Sequence, residues 1–275
     1  MGKSGKRFMM MVFVIMLMLS GCQSSKKAEP IDFQADMEWK IPDPAAKEKP
    51  RILFVGNSHI FYNNLSGMFV QIAKSFGNGD NVYELTKGYY TLKKFADPED
   101  SVGAKLKQVL TKQKWDFVIL QENTSVALSD KAEEEMFPYA RILDEEIRAN
   151  GAQTAFLMTW APREGATKGF RTQNCEELQN ILANHYLEIS GELESLVIPA
   201  GVSFMRCMEE YPEIELWDPD GQHPSPAGAY LTACTAYAVI FQKSPENCTF
   251  TGNLEMEEAL KLQKIAADVV LKKGT

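Results

Sequence analysis

Five short candidate strands, at 52–55, 82–86, 115–120, 154–159 and 196–199, most of them predominantly apolar, alternate along this chain with longer segments of helical spacing. That alternation narrows the possible folds more than any other feature. A run of four to six apolar residues bounded by turn residues has the length of a buried strand, not of a helix. Strands joined through helices re-enter the sheet in the same direction, so the sheet is mainly parallel and covered on both faces. The helical segments are predicted at 66–76, 102–111, 129–150, 174–192, 227–241 and 254–271. Gly151 closes the third of them as a helix-stop glycine. With 45% hydrophobic residues, the chain has material for one sizeable core, and one domain over 51–275 is the simplest account.

The first 50 residues do not share this pattern. Lys3, Lys6 and Arg7 precede an apolar run at 8–19. That run is too short to span a bilayer, which takes about 20 residues, and it has the form of a signal peptide over 1–21. Leu19-Ser20-Gly21-Cys22 resembles the lipobox of bacterial lipoproteins. The resemblance implies cleavage before Cys22 and lipid, including palmitate, on that cysteine. Residues 22–50 then form a tether stiffened by Pro42, Pro44 and Pro50. The expected location is extracytoplasmic, anchored to a membrane at the cell surface or periplasmic face.

A formal net charge of −8 argues against a nucleic-acid partner, which needs a basic face. Cys175, Cys207, Cys234 and Cys248 show no Cys-x-x-Cys spacing, and no paired histidines accompany them. Neither a metal nor another cofactor is therefore expected. An exported chain is free to oxidise these cysteines, but spacing selects no pairing.

In an open α/β sheet the ligand crevice lies outside the carboxyl ends of the strands. Ser58 follows the first run, after a turn at Gly56, and is a candidate nucleophile there. The competing reading is a helix-cap serine. Gly88 follows the second run, Gln121-Glu122-Asn123 the third, and Trp160, Arg163 and Arg171 the fourth. Near the C-terminus, Asp220 and His223 sit three apart on a loop that Ser225 and Pro226 tie to the start of a helix. A carboxylate so close to an imidazole can hold one ring nitrogen and leave the other to take a serine proton. His59 adjoins Ser58 but points elsewhere, and His185 lies within a helix, so His223 is the candidate base. The N–H groups of Ser58 and Gly88 and the amide of Asn123 are candidate oxyanion donors. Gln121, Trp160 and Arg163, with Tyr62 and Asn63, are candidate substrate contacts. For each the alternative is a loop or rim residue.

In order, these segments resemble the conserved blocks of the SGNH/GDSL hydrolase superfamily. Gly56-Asn57-Ser58 stands for its Gly-Asp-Ser block, Gly88 for its lone glycine, Gln121-Glu122-Asn123-Thr124 for Gly-x-Asn-Asp, and Asp220-Gly221-Gln222-His223 for Asp-x-x-His. The likeness spans nearly all of 51–245, and the Asp-x-x-His block with its Pro-Ser-Pro-Ala-Gly continuation is its most specific part. Asn57, Gln121 and Thr124 depart from the family pattern, and Ile60 rules out the Gly-x-Ser-x-Gly elbow of α/β-hydrolases. The resemblance implies a three-layer α/β/α sandwich on a mainly parallel, about five-stranded, flavodoxin-like sheet. It also implies a cofactor-free serine esterase that acts on a small ester or acylated glycan, such as a carbohydrate acetylesterase, through an acyl-enzyme on Ser58. A lipase, thioesterase or acyltransferase with the same triad, or a non-catalytic binding lipoprotein, are the competing functions.

Overall fold

The computed structural model describes residues 49–79, 81–168 and 171–271. The signal peptide, Cys22 and nearly all of the tether lie outside these residues. Seven strands are present among them: β1 (Ile52–Gly56), β2 (Val82–Thr86), β3 (Phe117–Leu120), β4 (Gln153–Leu157), β5 (Ala166–Lys168), β6 (Arg171–Gln173) and β7 (Leu196–Ile198). Five form one sheet in the order β2-β1-β3-β4-β7, and every pairing in it is parallel. β5 and β6 form a separate antiparallel hairpin.

β1 and β3 are buried at every residue, which is why their sequences run apolar without alternation. β2 is the sheet's edge and is only partly covered. The helices are α1 (Ser58–Phe61), α2 (Leu65–Ser75), α3 (Leu92–Ala96), α4 (Ser101–Lys112), α5 (Thr124–Ala127) and α6 (Ala132–Glu135). They continue with α7 (Phe137–Ala149), α8 (Cys175–Glu192), α9 (Ala200–Glu210), α10 (Pro226–Phe241) and α11 (Met256–Leu271). α10 packs among α2, α9 and α11, while α3, α4 and α7 pack together as a second group. The result is the three-layer α/β/α arrangement. α10 is buried from Ala227 to Phe241, so it is apolar all round rather than on one stripe. No helix among the described residues is long and apolar enough to cross a membrane.

The predicted helix over 129–150 is broken. α6 and α7 occupy 132–149 in its place, and α7 starts with Pro138 in its first turn. Proline lacks an N–H and clashes with the preceding turn, so it starts a helix rather than continuing one. α9 and the β5–β6 hairpin are additions to the predicted elements. Gly201 and Ser203 dilute the apolar spacing of α9. Gly201 is small because a Cβ there would lie 2.1 Å from Gln179 Nε2 and 2.3 Å from the Thr159 carbonyl oxygen. Cys175, Cys207, Cys234 and Cys248 are buried, unpaired thiols.

Candidate active site

Strand register gathers the first three candidate segments at one end of the sheet. Gly56 pairs with Thr86, so Ser58 and Gly88 each stand two residues beyond paired positions. Val55 pairs with Leu120, so Ser58 and Asn123 each stand three residues beyond. Parallel strands therefore deliver all three to the carboxyl edge.

The turn that carries Ser58 is fixed from below. A Cβ on Gly56 would lie 2.4 Å from Gln121 Oε1 and 2.6 Å from Ile60 Cδ1, so only glycine fits under the turn. Gln121 Oε1 accepts from Asn57 N at 2.8 Å, and Gln121 Nε2 donates to the Glu122 carbonyl at 2.5 Å. Asn57 caps α1 by accepting from His59 N at 3.2 Å, and its Nδ2 donates to the Tyr90 carbonyl at 3.0 Å. Asn57, where the superfamily has aspartate, thus needs its amide: it donates and accepts at once. Lys87 N donates to the Gly56 carbonyl at 3.1 Å and ties the Gly88 loop to the same turn.

The loop of Asp220 and His223 reaches this turn from the far end of the chain. His223 Nε2 lies 2.8 Å from Ser58 Oγ, and His223 Nδ1 lies 2.5 Å from Asp220 Oδ2. A carboxylate only accepts, so Nδ1 carries the proton and Nε2 presents its lone pair to the serine. Asp220 Oδ1 also accepts from Gln222 N and His223 N, both at 2.9 Å. Burial raises the Asp220 pKa, but these hydrogen bonds and His223 outweigh it and bring it down to about 2. The loop is pinned by Asp218 N to the His223 carbonyl at 2.8 Å and by Arg163 N to the Gly221 carbonyl at 2.9 Å. Ser225 caps α10 by accepting from Gly228 N at 3.0 Å.

The structure therefore brings Ser58, His223 and Asp220 into one hydrogen-bonded series. Asn123 caps α5 through Oδ1, which accepts from Ser125 N at 3.0 Å, so the cap does not use its amide NH2. Gly88 lies in the turn after β2, with its open side toward Phe61 of α1.

Two expected substrate contacts have other roles. Gln121 is fully buried, and both ends of its amide are engaged beneath the serine turn. Trp160 is 1% exposed, stacks on Phe204 with centroids 4.3 Å apart, and donates from Nε1 to the Gln222 carbonyl at 2.9 Å. It supports the histidine loop from beneath. Arg163 is at the rim, where its guanidinium pairs with Glu215 at 2.6 Å. Asn63 donates to the Pro224 carbonyl at 2.7 Å, and Tyr62 stacks on His223. These polar and aromatic residues follow strands, so position alone suggested cleft lining. Their partners come from distant parts of the chain.

Sequence reasoning missed two titratable groups beside Ser58 and Asn123, the partly buried His59 and the buried Glu122. His59 Nδ1 lies 3.3 Å from Asn57 Oδ1, and its Nε2 lies 3.4 Å from Thr124 Oγ1. Burial, and then the neighbouring His223, lower its pKa to about 4, with partial opposition from Asp220. It is a neutral ring at neutral pH. Glu122 is fully buried and accepts from Asn123 N at 2.5 Å and from Leu92 N at 3.2 Å. Burial pushes its pKa up to about 8 against the pull of those two donors. Its carboxyl joins the Asn123 loop to the segment after Gly88. His185 is remote from this chemistry and ties α8 to the Ala127 carbonyl at 2.7 Å. Among the described residues no group of three or more His, Cys, Asp or Glu side chains is placed to hold a metal ion.

No protein-family model matches the chain, and no curated protein matches it. Solved structures do. A putative SGNH hydrolase from Slackia heliotrinireducens is 25% identical with a TM-score of 0.60, over 70% of this chain and 98% of its own. A DUF4886 family protein from Bacteroides uniformis is 14% identical with a TM-score of 0.67, over 81% of this chain and 95% of its own. An acetyl xylan esterase is 11% identical with a TM-score of 0.50, over 69% of this chain and 99% of its own. The fold shared with these proteins is that of SGNH hydrolases.

Proposed function

We propose that this chain, a member of the SGNH/GDSL hydrolase superfamily by fold, is a serine ester hydrolase that removes acetyl or other short acyl groups from a glycan. The observation that carries the reading is the series from Asp220 Oδ2 through the His223 ring to Ser58 Oγ, with links of 2.5 Å and 2.8 Å. As Ser58 Oγ attacks the ester carbonyl, its proton passes to His223 Nε2. The resulting imidazolium is held by Asp220, which stays ionised because its pKa is about 2. The oxyanion is received by the N–H groups of Ser58 and Gly88 and by the Asn123 amide. Collapse breaks the bond to the alcohol, which leaves with the proton from Nε2. Water then enters, gives a proton to His223 and attacks the acyl-enzyme; as the acid leaves, His223 Nε2 returns that proton to Ser58 Oγ.

The glycan half of the proposal draws on the surface beside Ser58. Phe61, at the end of α1, and Tyr89, on the loop after β2, are exposed aromatics. Tyr89 is 86% exposed and adopts φ +61°, a left-handed conformation that costs a side-chain-bearing residue energy. Flat rings of this kind suit the apolar face of a sugar. Among the fold neighbours is an acetyl xylan esterase. The location is proposed from Leu19-Ser20-Gly21-Cys22: a lipid on Cys22 holds the enzyme outside the cytoplasm, with 23–50 as its tether.

The test is acetate release from acetylated oligosaccharides, set against release of long-chain acids from matched esters. The expected result is release of acetate by the wild type and none above background by Ser58→Ala. Equal rates for the two proteins would overturn the assignment. Preference for long chains, or transfer of acetyl to an added alcohol in place of water, would redirect it to a lipase or an acyltransferase. Mass analysis of the mature N-terminal peptide tests the anchor: an unmodified Cys22 would rule it out.

A further inference from the structure

Two consecutive residues after the nucleophile helix adopt left-handed backbone conformations: Asn63 at φ +50° and Asn64 at φ +54°. Neither is glycine, and such conformations disfavour residues that carry a side chain. Asparagine tolerates them best, but two in succession still represent strain that the surroundings must hold in place. The neighbouring sequence accommodates it. A Cβ on Gly67 would lie 2.2 Å from Asn64 Nδ2, so the first turn of α2 is left open for that side chain.

What the strained turn presents is directed at the histidine loop. Tyr62 lies flat on the His223 ring, with centroids 4.0 Å apart and planes 13° from parallel. Asn63 Nδ2 donates to the carbonyl of Pro224, the residue after His223, at 2.7 Å. One contact fixes the face of the imidazole and the other fixes its backbone. The remaining groups at the ring are Ser58 and Asp220 at its nitrogens and His59, whose centroid is 5.5 Å away. Of these, only Asp220 is charged at neutral pH.

We infer that Tyr62 and Asn63 are positioning residues for His223: the aromatic face and the amide clamp hold the imidazole in register with Ser58 and Asp220. This rests on the hydrolase reading. It adds that a turn contiguous with the nucleophile sets the geometry of a base that lies 165 positions along the chain from Ser58. The stacked ring also favours the imidazolium that forms as Ser58 gives up its proton, since an aromatic face attracts a cation. No hydrogen bond to the imidazole nitrogens is needed from Tyr62, so its hydroxyl is dispensable and its ring is not.

Four proteins test this on a short-chain ester: wild type, Tyr62→Phe, Tyr62→Leu and Asn63→Gly. Phenylalanine keeps the ring, leucine keeps apolar bulk without it, and glycine keeps the left-handed backbone without the amide. The expected result is kcat near wild type for Tyr62→Phe and a fall of about tenfold for Tyr62→Leu and for Asn63→Gly, with KM little changed. Wild-type kcat in Tyr62→Leu, or an equal loss in Tyr62→Phe, would overturn the inference. A readout independent of activity accompanies it. The His223 Cε1–H proton resonance, identified among only three histidines, should be shifted upfield by the stacked ring. It moves downfield in Tyr62→Leu and stays in place in Tyr62→Phe. An unshifted resonance in the wild type would contradict the stacking, whatever the protein hydrolyses. An inactive wild type with the shifted resonance would instead count against the hydrolase reading alone.

Discussion

The two halves of the site are held by different means. Ser58 stands on a turn whose supports are interior: β1 beneath it, Gln121 against the Asn57 N–H, and Glu122 between the Asn123 and Leu92 N–H groups, all buried. Asp220 and His223 stand on a loop that is largely exposed. That loop is fastened at points, by Trp160 Nε1 at Gln222, Arg163 N at Gly221 and Asn63 Nδ2 at Pro224. The Ser58 half is therefore positioned by the core, and the His223 half by individual hydrogen bonds and a ring stack. Damage to the first should appear as lost stability. Damage to the second should appear as lost turnover in a protein that still folds.

The sharpest way to break this comparison is His223→Gln. It removes the proposed base from a largely exposed loop, so kcat/KM should fall by about 10⁴-fold or more while the thermal midpoint hardly moves. A large loss of stability would mean that the loop belongs to the core after all. Asn123→Ser keeps an N-cap oxygen for α5 and removes the amide donor. It should lower kcat by roughly 10²–10³-fold with less than about 1 kcal/mol of stability lost. Steady-state kinetics and urea unfolding on the same preparation separate the two effects.

Glu122→Gln probes the interior half through pH. Burial raises the Glu122 pKa from 4.5 to about 8 in the folded protein. A carboxyl with a raised folded pKa contributes its full stability below its unfolded pKa and loses it as pH rises through the folded value. The wild type should thus lose stability relative to Glu122→Gln between about pH 5 and pH 8, at up to roughly 1.4 kcal/mol per unit. Urea midpoints at several pH values measure this. Parallel curves for the two proteins would show that Glu122 does not titrate in that window. Trp160→Phe is the smallest test. It keeps the stack on Phe204 but loses the hydrogen bond to Gln222. It should cost about 1 kcal/mol, read as a fewfold drop in kcat with KM unchanged.

The same contrast explains what the sequence disclosed. The central strands β1 and β3 were legible because burial on both faces leaves a simple, local signature, whereas the edge strand β2, only partly covered, carries a weaker one. The series Ser58, His223 and Asp220 was legible because the chemistry needs those residue types, and Asp220 and His223 lie close together in the chain. Gln121 and Trp160 read as candidate substrate contacts because a polar or amphipathic side chain after a strand looks the same whether it faces a cleft or a buried backbone partner. Nothing local distinguishes the two. Tyr62 and Asn63 drew notice only for their place after the nucleophile. Their partners, His223 and Pro224, are brought to them by the tertiary fold alone. Pro138 did carry a local signal against one continuous helix, and the strong helical spacing around it masked that signal.

The most direct test of the central claim, that His223 and Asp220 activate Ser58 as a nucleophile, is covalent labelling of the folded protein with a fluorophosphonate, mapped by peptide mass. The expected result is one adduct per chain, on Ser58, absent in Ser58→Ala and slowed by orders of magnitude in His223→Gln. A folded wild type that resists labelling, or one that labels equally fast without His223, would contradict it.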